Sequence, residues 1–205
     1  RDWSSDVCSS DLMNDVYGYT SSEGDTIQPG AKPGDFRFVD INGDGEITAD
    51  DRTMIGNPTP DWTAGITVDM SYKNWDLNIF GQGVFGNDIY NATRRYDLPT
   101  SNMPATAIDR WTGEGSTNTH PRLTFDDRNK NFARSSDFYV EDGSFFRLKS
   151  LQLGYTLTGN FAESIGLRKM RIYYAGTNLL TFTKYSGFDP EIGAGMGVDR
   201  GIYPQ

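Results

Sequence analysis

Oxygen-bearing side chains in the segment 40–51, DINGDGEITADD, stand at the spacing that a calcium-binding loop requires. Such a loop takes ligands from its first, third, fifth, seventh and twelfth positions and needs a glycine at the sixth for a sharp turn. The sixth position is Gly45, and the seventh would bind through its backbone carbonyl. The predicted ligands are Asp40, Asn42, Asp44, Glu46 and Asp51. The segment therefore predicts a structural Ca²⁺ site.

The same string has a second interpretation, because Asn-Gly and Asp-Gly pairs also form tight turns without a metal. An EF-hand would in addition need an amphipathic helix on each side of the loop. The flanks, residues 33–39 and 52–62, are short and rich in Gly and Pro. We therefore expect a metal-stabilised loop between strands, preceded by a short strand at 36–39 (FRFV).

Few residues offer catalytic chemistry. The single histidine, His120, lies in a polar segment and is predicted to be an exposed loop residue. The adjacent acids at 50–51 and 126–127 are expected to be solvated, except Asp51, which is a predicted calcium ligand. The glycine-rich segment GAGMG at 193–197 lacks the preceding strand and following helix of a phosphate-binding loop. Since GxSxG and GxxxxGK[ST] motifs are also absent, we predict that the protein is not an enzyme.

Composition restricts the class of protein. The 205 residues carry a net charge of −9, which argues against a nucleic-acid partner. No apolar run approaches the roughly 20 residues of a membrane-spanning helix. Twenty-three glycines and 13% aromatic residues favour strands and turns.

Residues 1–12 differ from the rest of the chain. They are rich in Ser and Asp, have no periodicity, contain the only cysteine, Cys8, and resemble the translation of a sequencing-library adapter. We therefore interpret 1–12 as an artefact and 13–205 as the protein domain.

The clearest periodic segment is 62–72, in which apolar and polar residues alternate without a break. A short turn at Lys73 and Asn74 and a second alternating segment from Trp75 predict an antiparallel hairpin. Both arms have the roughly 9–11 residues that cross a bilayer, whereas globular strands average about 5–6. Aromatic residues at the strand ends suit a membrane interface, so the even-numbered face of the first arm is predicted to contact lipid.

Alternation returns at 144–157 and in the strand candidate 170–182, whose faces do not sort by inspection. Phe145, Arg147 and Lys149 have the same parity as Leu151 and are assigned to its face. The segment 84–142 has no period and is predicted to be a long surface region that includes functional loops. Some aromatic residues there and after the last strand could stack on sugars or pack a partner, but most loop aromatics are expected to pack their own loops. These residues are Trp111, Phe138, Tyr139, Tyr185 and Phe188. Polar residues that would face a barrel lumen are Asp76, Asn78 and Gln82.

Several blocks resemble one family. GDFRFVDINGDGEITADDRTMIGNPTPDW, YKNWDLNIFGQGVFGNDIYN, SDFYVEDGSFFRLKSLQLGYTL and RIYYAGTNLLTFTKYSGFDPEIG are similar, in this order over about 34–204, to the C-terminal part of SusC/RagA-family TonB-linked outer-membrane transporters. The resemblance implies an all-β fold: an incomplete antiparallel transmembrane β-barrel with long extracellular loops. It implies nutrient uptake of oligosaccharide or peptide across the outer membrane, a SusD-like surface lipoprotein as partner, and energy from the TonB complex.

The sequence departs from that family by omission. It has no plug and no TonB box, and it stops at 203–205, where relatives continue into a last strand. The chain is thus predicted to be a fragment that contacts outer-membrane lipid, contacts the TonB complex only through a missing N-terminal part, and cannot close a barrel alone. The alternative is a secreted soluble β-domain that binds carbohydrate and is stabilised by calcium.

Overall fold

The computed structural model describes residues 16–97, 102–117, 119–158, 164 and 166–191, together with the backbone of two short strands at 2–3 and 5–6. The chain is all-β, as predicted. The strands are β1 Asp2–Trp3, β2 Ser5–Asp6, β3 Arg37–Phe38, β4 Arg52–Thr53, β5 Trp62–Tyr72, β6 Trp75–Phe85, β7 Asp88–Tyr90, β8 Val140–Asp142, β9 Phe145–Leu157 and β10 Met170–Thr183. Short 3-10 helices are Ala49–Asp51, Ala92–Arg94, Ala105–Asp109 and Asp137–Tyr139. Within the described ranges no helix is long and apolar enough to span a membrane.

The chain divides into two compact units. The loop unit comprises 1–57, 89–141 and 193–205, and the sheet unit comprises 58–88 and 142–192. The glycine-rich segment 193–197 and the terminal residues 203–205 lie outside the described residues.

The sheet unit contains a four-stranded antiparallel sheet in the order β10-β9-β6-β5. The predicted hairpin is confirmed: β5 pairs with β6 over its whole length, from Trp62 opposite Phe85 to Tyr72 opposite Trp75. The two-residue turn places Lys73 at φ +53°, in the left-handed region that two-residue hairpin turns use.

One face of this sheet is apolar across all four strands, because directly paired residues point to the same side. We call it the apolar face; its members include Ile66, Val68 and Met70 of β5, Leu77 and Ile79 of β6, Leu148, Leu151 and Leu153 of β9, and Ile172, Tyr174, Leu180 and Phe182 of β10. Ile66 and Met70 are 54% and 56% exposed, so protein does not cover the face at the middle of β5. The opposite side, the polar face, carries Asp69, Asp76, Asn78, Gln152 and Thr177.

A β-bulge in β9 places the residues before Lys149 on the face opposite to the predicted one. Ser150 pairs with Phe80 and Leu148 pairs with Gly81, so Lys149 is an extra residue relative to β6. The bulge reverses the alternation, and Arg147 lies on the polar face opposite Leu151 rather than beside it. The register with β10 shifts at the same level, where Asn178 adopts φ +51°. This local irregularity interrupts the alternation of faces along β10.

Aromatic side chains form the core of the loop unit. Phe36 is fully buried and packs against Phe132 and Phe138, with ring centroids 6.5 and 5.0 Å apart. Phe138 and Tyr139, two of the loop aromatics that could stack on a ligand, are each only 2% exposed and instead pack in this core. Burying aromatic rings from distant segments holds the loops together without long strands.

Side-chain amides satisfy the backbone of β3. The Gln28 Oε1 accepts the Phe38 N–H at 2.8 Å, and the Asn131 Oδ1 accepts the Phe36 N–H at 3.0 Å. The Phe36 carbonyl accepts from Asn129 Nδ2 at 2.8 Å. Since an unpaired buried backbone group is costly, these amides stabilise the strand that leads into the predicted calcium loop.

Candidate functional site

Three of the predicted calcium ligands converge. Asp40, Asp44 and Asp51 each offer a carboxylate oxygen, and these oxygens lie within 4.8 Å of one another. Asp51 is fully buried, Asp40 is half-buried and Asp44 is exposed. The arrangement combines negative charge with oxygen ligands, which is the chemistry that Ca²⁺ prefers.

Backbone donors hold the loop in this shape. The two oxygens of Asp40 accept the N–H groups of Gly43 and Gly45 at 2.7 and 2.8 Å. Gly45 has φ +86°, a conformation that side chains rarely adopt, as the sixth loop position requires. Asp51 accepts from Ile41 at 2.9 Å and from Thr48 at 2.7 Å. The Asp51 Oδ1 also accepts the Asn42 N–H at 3.4 Å, so the oxygens of Asp40 and Asp44 and the Asp51 Oδ2 are those that keep a lone pair for a cation.

The other two predicted ligands lie on the exposed side of the loop. The Asn42 Oδ1 accepts the Asp44 N–H at 2.9 Å, and its amide nitrogen donates to Asp44 at 2.8 Å. Glu46 donates its backbone N–H to Asp44 at 2.9 Å. These contacts orient Asp44 within the loop.

Residues at both ends position the loop. The Tyr19 hydroxyl donates to the Phe38 carbonyl at 3.0 Å and accepts the Asp40 N–H at 3.1 Å. At the other end Thr48 and Asp51 form a reciprocal capping box at the 3-10 turn. Tyr19 lies about twenty residues before the motif, and no local sequence pattern predicts its contact with the loop.

His120 is half-buried, which corrects its prediction as an exposed residue. Its ring meets Phe138 edge-on, with centroids 5.9 Å apart, and its Nδ1 lies 3.0 Å from the Thr119 hydroxyl. Burial, followed by the nearby charge of Arg94, lowers the pKa of His120. A neutral ring packed on an aromatic core suits a structural role.

An ion pair crosses the polar face of the sheet. Asp76 of β6 and Arg171 of β10 meet over the intervening strand β9, with the Arg171 Nε 3.0 Å from the carboxylate. A methyl group added at Gly154 would lie 2.5 Å from both Asp76 oxygens, so the glycine makes room for the pair. Of the predicted lumen residues, Asn78 donates to Asp69 at 2.5 Å, and Gln82 lies on this same face.

A second network joins β9 to the segment after β10. The guanidinium of Arg147, which is 6% exposed, donates to Asp189 at 2.5 Å, to Glu191 at 2.6 Å and to the Thr181 hydroxyl at 2.9 Å. Lys149 also pairs with Glu191. Burial opposes ionisation of Asp189, yet the hydrogen bonds from Arg147 and the Glu191 backbone outweigh it and lower the pKa of this carboxyl.

The segment beside this network exposes one aromatic ring. Tyr185, one of the loop aromatics that could contact a ligand, is buried, and its ring packs over Gly187. Phe188, by contrast, is 71% exposed. Of the two, only Phe188 is available to a ligand.

Comparison with known proteins finds relatives over most of the chain. No family model matches the chain. The TonB-dependent receptor P3 of Formosa agariphila is 37% identical over 190 residues, which are 87% of this chain and 18% of that receptor. The TonB-dependent receptor SusC of Bacteroides thetaiotaomicron is 27% identical over 85% of this chain and 17% of SusC.

Solved structures agree with the sequence relatives. The RagAB peptide importer in its open-open state superimposes with a TM-score of 0.63 at 25% identity, covering 82% of this chain and 19% of that one. The closed-closed state gives a TM-score of 0.58 at 27% identity. The chain thus has the fold of part of an outer-membrane β-barrel.

The predicted resemblance is confirmed: over most of its length the chain is related to TonB-dependent receptors of the SusC/RagA family. The predicted location in the outer membrane is that of this family. The chain spans less than a fifth of the length of these relatives. The relatives named above are receptors and an importer, none of them described as an enzyme.

Proposed function

We propose that the chain forms part of the wall and outer loops of a TonB-dependent importer that takes up nutrients across the outer membrane. The observation that carries this proposal is the continuous apolar face of β5, β6, β9 and β10. Strands of 11 to 14 residues are long enough to cross a bilayer. The apolar face would contact lipid, and the polar face would line the lumen.

The connections suggest the orientation. Two residues, Lys73 and Asn74, join β5 to β6, whereas residues 86–144 separate β6 from β9. Outer-membrane barrels have short periplasmic turns and long extracellular loops. The segment 86–144 would therefore be extracellular, and the hairpin turn would be periplasmic.

Substrate and partners follow from the relatives. RagAB is described as a peptide importer, and the SusC relationship supports a SusD-like surface lipoprotein as partner. We propose oligosaccharide or peptide as the substrate and the TonB complex as the energy source. Purification of the receptor from outer membranes under mild detergent should recover the lipoprotein with it; purification of the receptor alone would count against this partner.

The soluble carbohydrate-binding alternative is less well supported. A soluble sandwich buries the apolar side of its sheet against a second layer. Here Ile66, Val68 and Met70 are 54%, 38% and 56% exposed. Lipid is the solvent that such a surface fits.

Paired spin labels test the membrane assignment. Cysteines replace Ile66 and Thr67, one at a time, in protein whose Cys8 is changed to Ser, and the labelled protein is inserted into phospholipid vesicles. The spin label at Ile66→Cys should collide more often with oxygen, which partitions into lipid. The spin label at Thr67→Cys should collide more often with a water-soluble nickel complex. Two labels with the same preference would refute the assignment, as would a monodisperse soluble monomer in the absence of detergent.

We also propose that the loop 40–51 binds one Ca²⁺ ion in a structural role. The support is the convergence of Asp40, Asp44 and Asp51, together with the left-handed backbone of Gly43 (φ +75°) and Gly45 (φ +86°). Asn42 Oδ1 and the Glu46 carbonyl would complete the ligand set. Binding only to the folded loop would stabilise it.

Calorimetry with CaCl₂ on the full chain tests the calcium proposal. Asp40→Ala and Asp51→Ala should abolish the binding heat, and Asp44→Asn should weaken it while leaving the buried hydrogen bonds in place. Asp50→Ala is the matched control, because Asp50 is exposed and outside the ligand set. Equal heats in all of these proteins would refute the site.

A further inference from the structure

Asn42 and Gly43 form a dipeptide that can rearrange chemically. Asn42 is the only asparagine in the sequence that is followed by glycine. Both residues are exposed to solvent, and a methyl group added at Gly43 would meet no atom of the described residues within 4 Å. The backbone nitrogen of Gly43 is therefore not hindered by a side chain of its own, and glycine has the backbone freedom to bring that nitrogen toward the Asn42 amide.

The rearrangement removes the side-chain amide of Asn42. The Gly43 nitrogen gives up its proton to base in the solvent and attacks the Asn42 Cγ. The new N–Cγ bond closes a succinimide ring, and the Cγ–Nδ2 bond breaks to release ammonia. Water then opens the ring at either carbonyl and leaves aspartate or isoaspartate. Water is the only other reactant, and no atom is oxidised or reduced.

The folded loop restrains both reacting groups. The Gly43 N–H donates to Asp40 Oδ1 at 2.7 Å, so the attacking nitrogen is held against a carboxylate. The Asn42 Oδ1 accepts the Asp44 N–H at 2.9 Å, and the Asn42 Nδ2 donates to Asp44 Oδ2 at 2.8 Å. Because the attack requires rotation of the Asn42 side chain and loss of the Gly43 proton, these hydrogen bonds must break first. The negative charges of Asp40 and Asp44 also disfavour the nitrogen anion that attacks.

We propose that Asn42 is a site of spontaneous chemical modification and that opening of the loop 40–51 sets its rate. Exposed loops open locally without unfolding of the rest of the protein. The closed loop protects the dipeptide through its hydrogen bonds, and each opening allows the irreversible loss of the amide. The modification itself does not depend on a bound metal or on insertion into a membrane.

The two products alter the loop in different ways. Aspartate adds a negative charge beside Asp40 and Asp44. Isoaspartate adds a carbon to the main chain between the first and fifth positions of the loop and shifts Asp44 relative to Asp40. Isoaspartate would therefore disrupt the proposed set of Ca²⁺ ligands, a consequence that rests on the calcium proposal.

Peptide mapping of the full chain by mass spectrometry tests this proposal. The protein is incubated in mildly alkaline buffer with EDTA, so that the result is independent of calcium, and a parallel sample is unfolded in urea. Asn42 should be modified in both samples, but roughly tenfold or more slowly in the folded chain, because charged hydrogen bonds hold the loop closed. Asn102, which is exposed but followed by Met103, should stay intact in the folded chain. Isomerisation of Asp44, which also precedes a glycine, leaves the mass unchanged and does not interfere.

The incubation continues for many times the period that the chain in urea needs to react. Equal rates in the folded and unfolded chains would overturn the proposed restraint. Modification of Asn102 before Asn42 would overturn the site. An Asn42 that is still intact in the folded chain at the end would show that the loop does not open for the reaction, and would also overturn the proposal.

Variants locate the restraint. Asp40→Ala removes the acceptor of the Gly43 N–H and should speed the modification roughly tenfold, as expected for loss of hydrogen bonds to a charged group. Asp44→Ala should also speed it, and because Asp44 is exposed, this variant remains informative if Asp40→Ala unfolds the loop. Asp50→Ala is the matched control, because Asp50 is an exposed acid of the same loop outside these hydrogen bonds. Equal acceleration by Asp50→Ala would show that loss of charge alone is sufficient and would overturn the hydrogen-bond restraint.

Discussion

Substitution of Val68 by Arg would place a charge in the middle of the apolar face. Val68 pairs with Ile79, which in turn pairs with Leu151, so apolar side chains surround it across three strands. Thr67 is its neighbour in the same strand but lies on the polar face, beside Phe80 and Ser150. The two positions therefore share depth and strand environment but differ in the solvent they face.

The expected cost follows from depth. β5 has 11 residues, and Val68 is one residue from its centre, a displacement of about 3.4 Å along the strand. Arginine on the lipid face of a barrel costs about 2–4 kcal/mol near the bilayer midplane. This cost reduces the folded-to-unfolded ratio by roughly 30- to 700-fold. Thr67→Arg lies on the polar face and should cost less than about 1 kcal/mol.

Reversible guanidinium unfolding of the protein in phosphatidylcholine vesicles measures both costs, and tryptophan fluorescence follows the transition. Trp62 and Trp75 lie at opposite ends of the apolar face and report on strand insertion. Equal destabilisation by Val68→Arg and Thr67→Arg would refute the lipid assignment. A larger cost for Thr67→Arg would indicate that the two faces are reversed.

Three further outcomes test other parts of the structure. Gly154→Ala should destabilise the sheet by about 1–3 kcal/mol through overpacking. The same substitution should cost much less in an Asp76→Ser background, because the ion pair that fills the space above the glycine is then removed. An equal cost in both backgrounds would contradict this explanation. Arg147→Met should lower the free energy of local opening of the segment around Asp189 by about 1 kcal/mol, a small value because the carboxylate is about a quarter exposed. Hydrogen exchange in that segment should then be roughly fivefold faster. Unchanged exchange would show that the Arg147 ion pairs do not hold the segment in place. His120 has a pKa below its ordinary 6.5, so the unfolded chain binds the proton more readily and the loop unit should lose stability as pH falls through and below 6.5. His120→Gln should flatten that part of the pH profile, and a profile with the original slope would assign the effect to other groups.

Local residue patterns were sufficient for the hairpin and the loop. The unbroken alternation of 62–72 specifies which side chains share a face, because the side-chain period of a strand is two whatever lies next to it. The glycines and short acids of 40–51 likewise specify a turn within their own segment. Both features depend on interactions between residues close in sequence, and both appear in the structure as predicted from that pattern.

Tertiary structure decided the features that depend on distant partners. Alternation alone assigned Arg147 to the side of Leu151, whereas pairing with β6 and β10 creates the bulge at Lys149 and turns Arg147 toward Asp189. Phe138 is a loop aromatic in the sequence and a core residue in the structure, because Phe36 reaches it from a segment about a hundred residues earlier. Side-chain periodicity is a property of one strand, but burial, bulges and convergent charges arise only when segments separated by many residues meet.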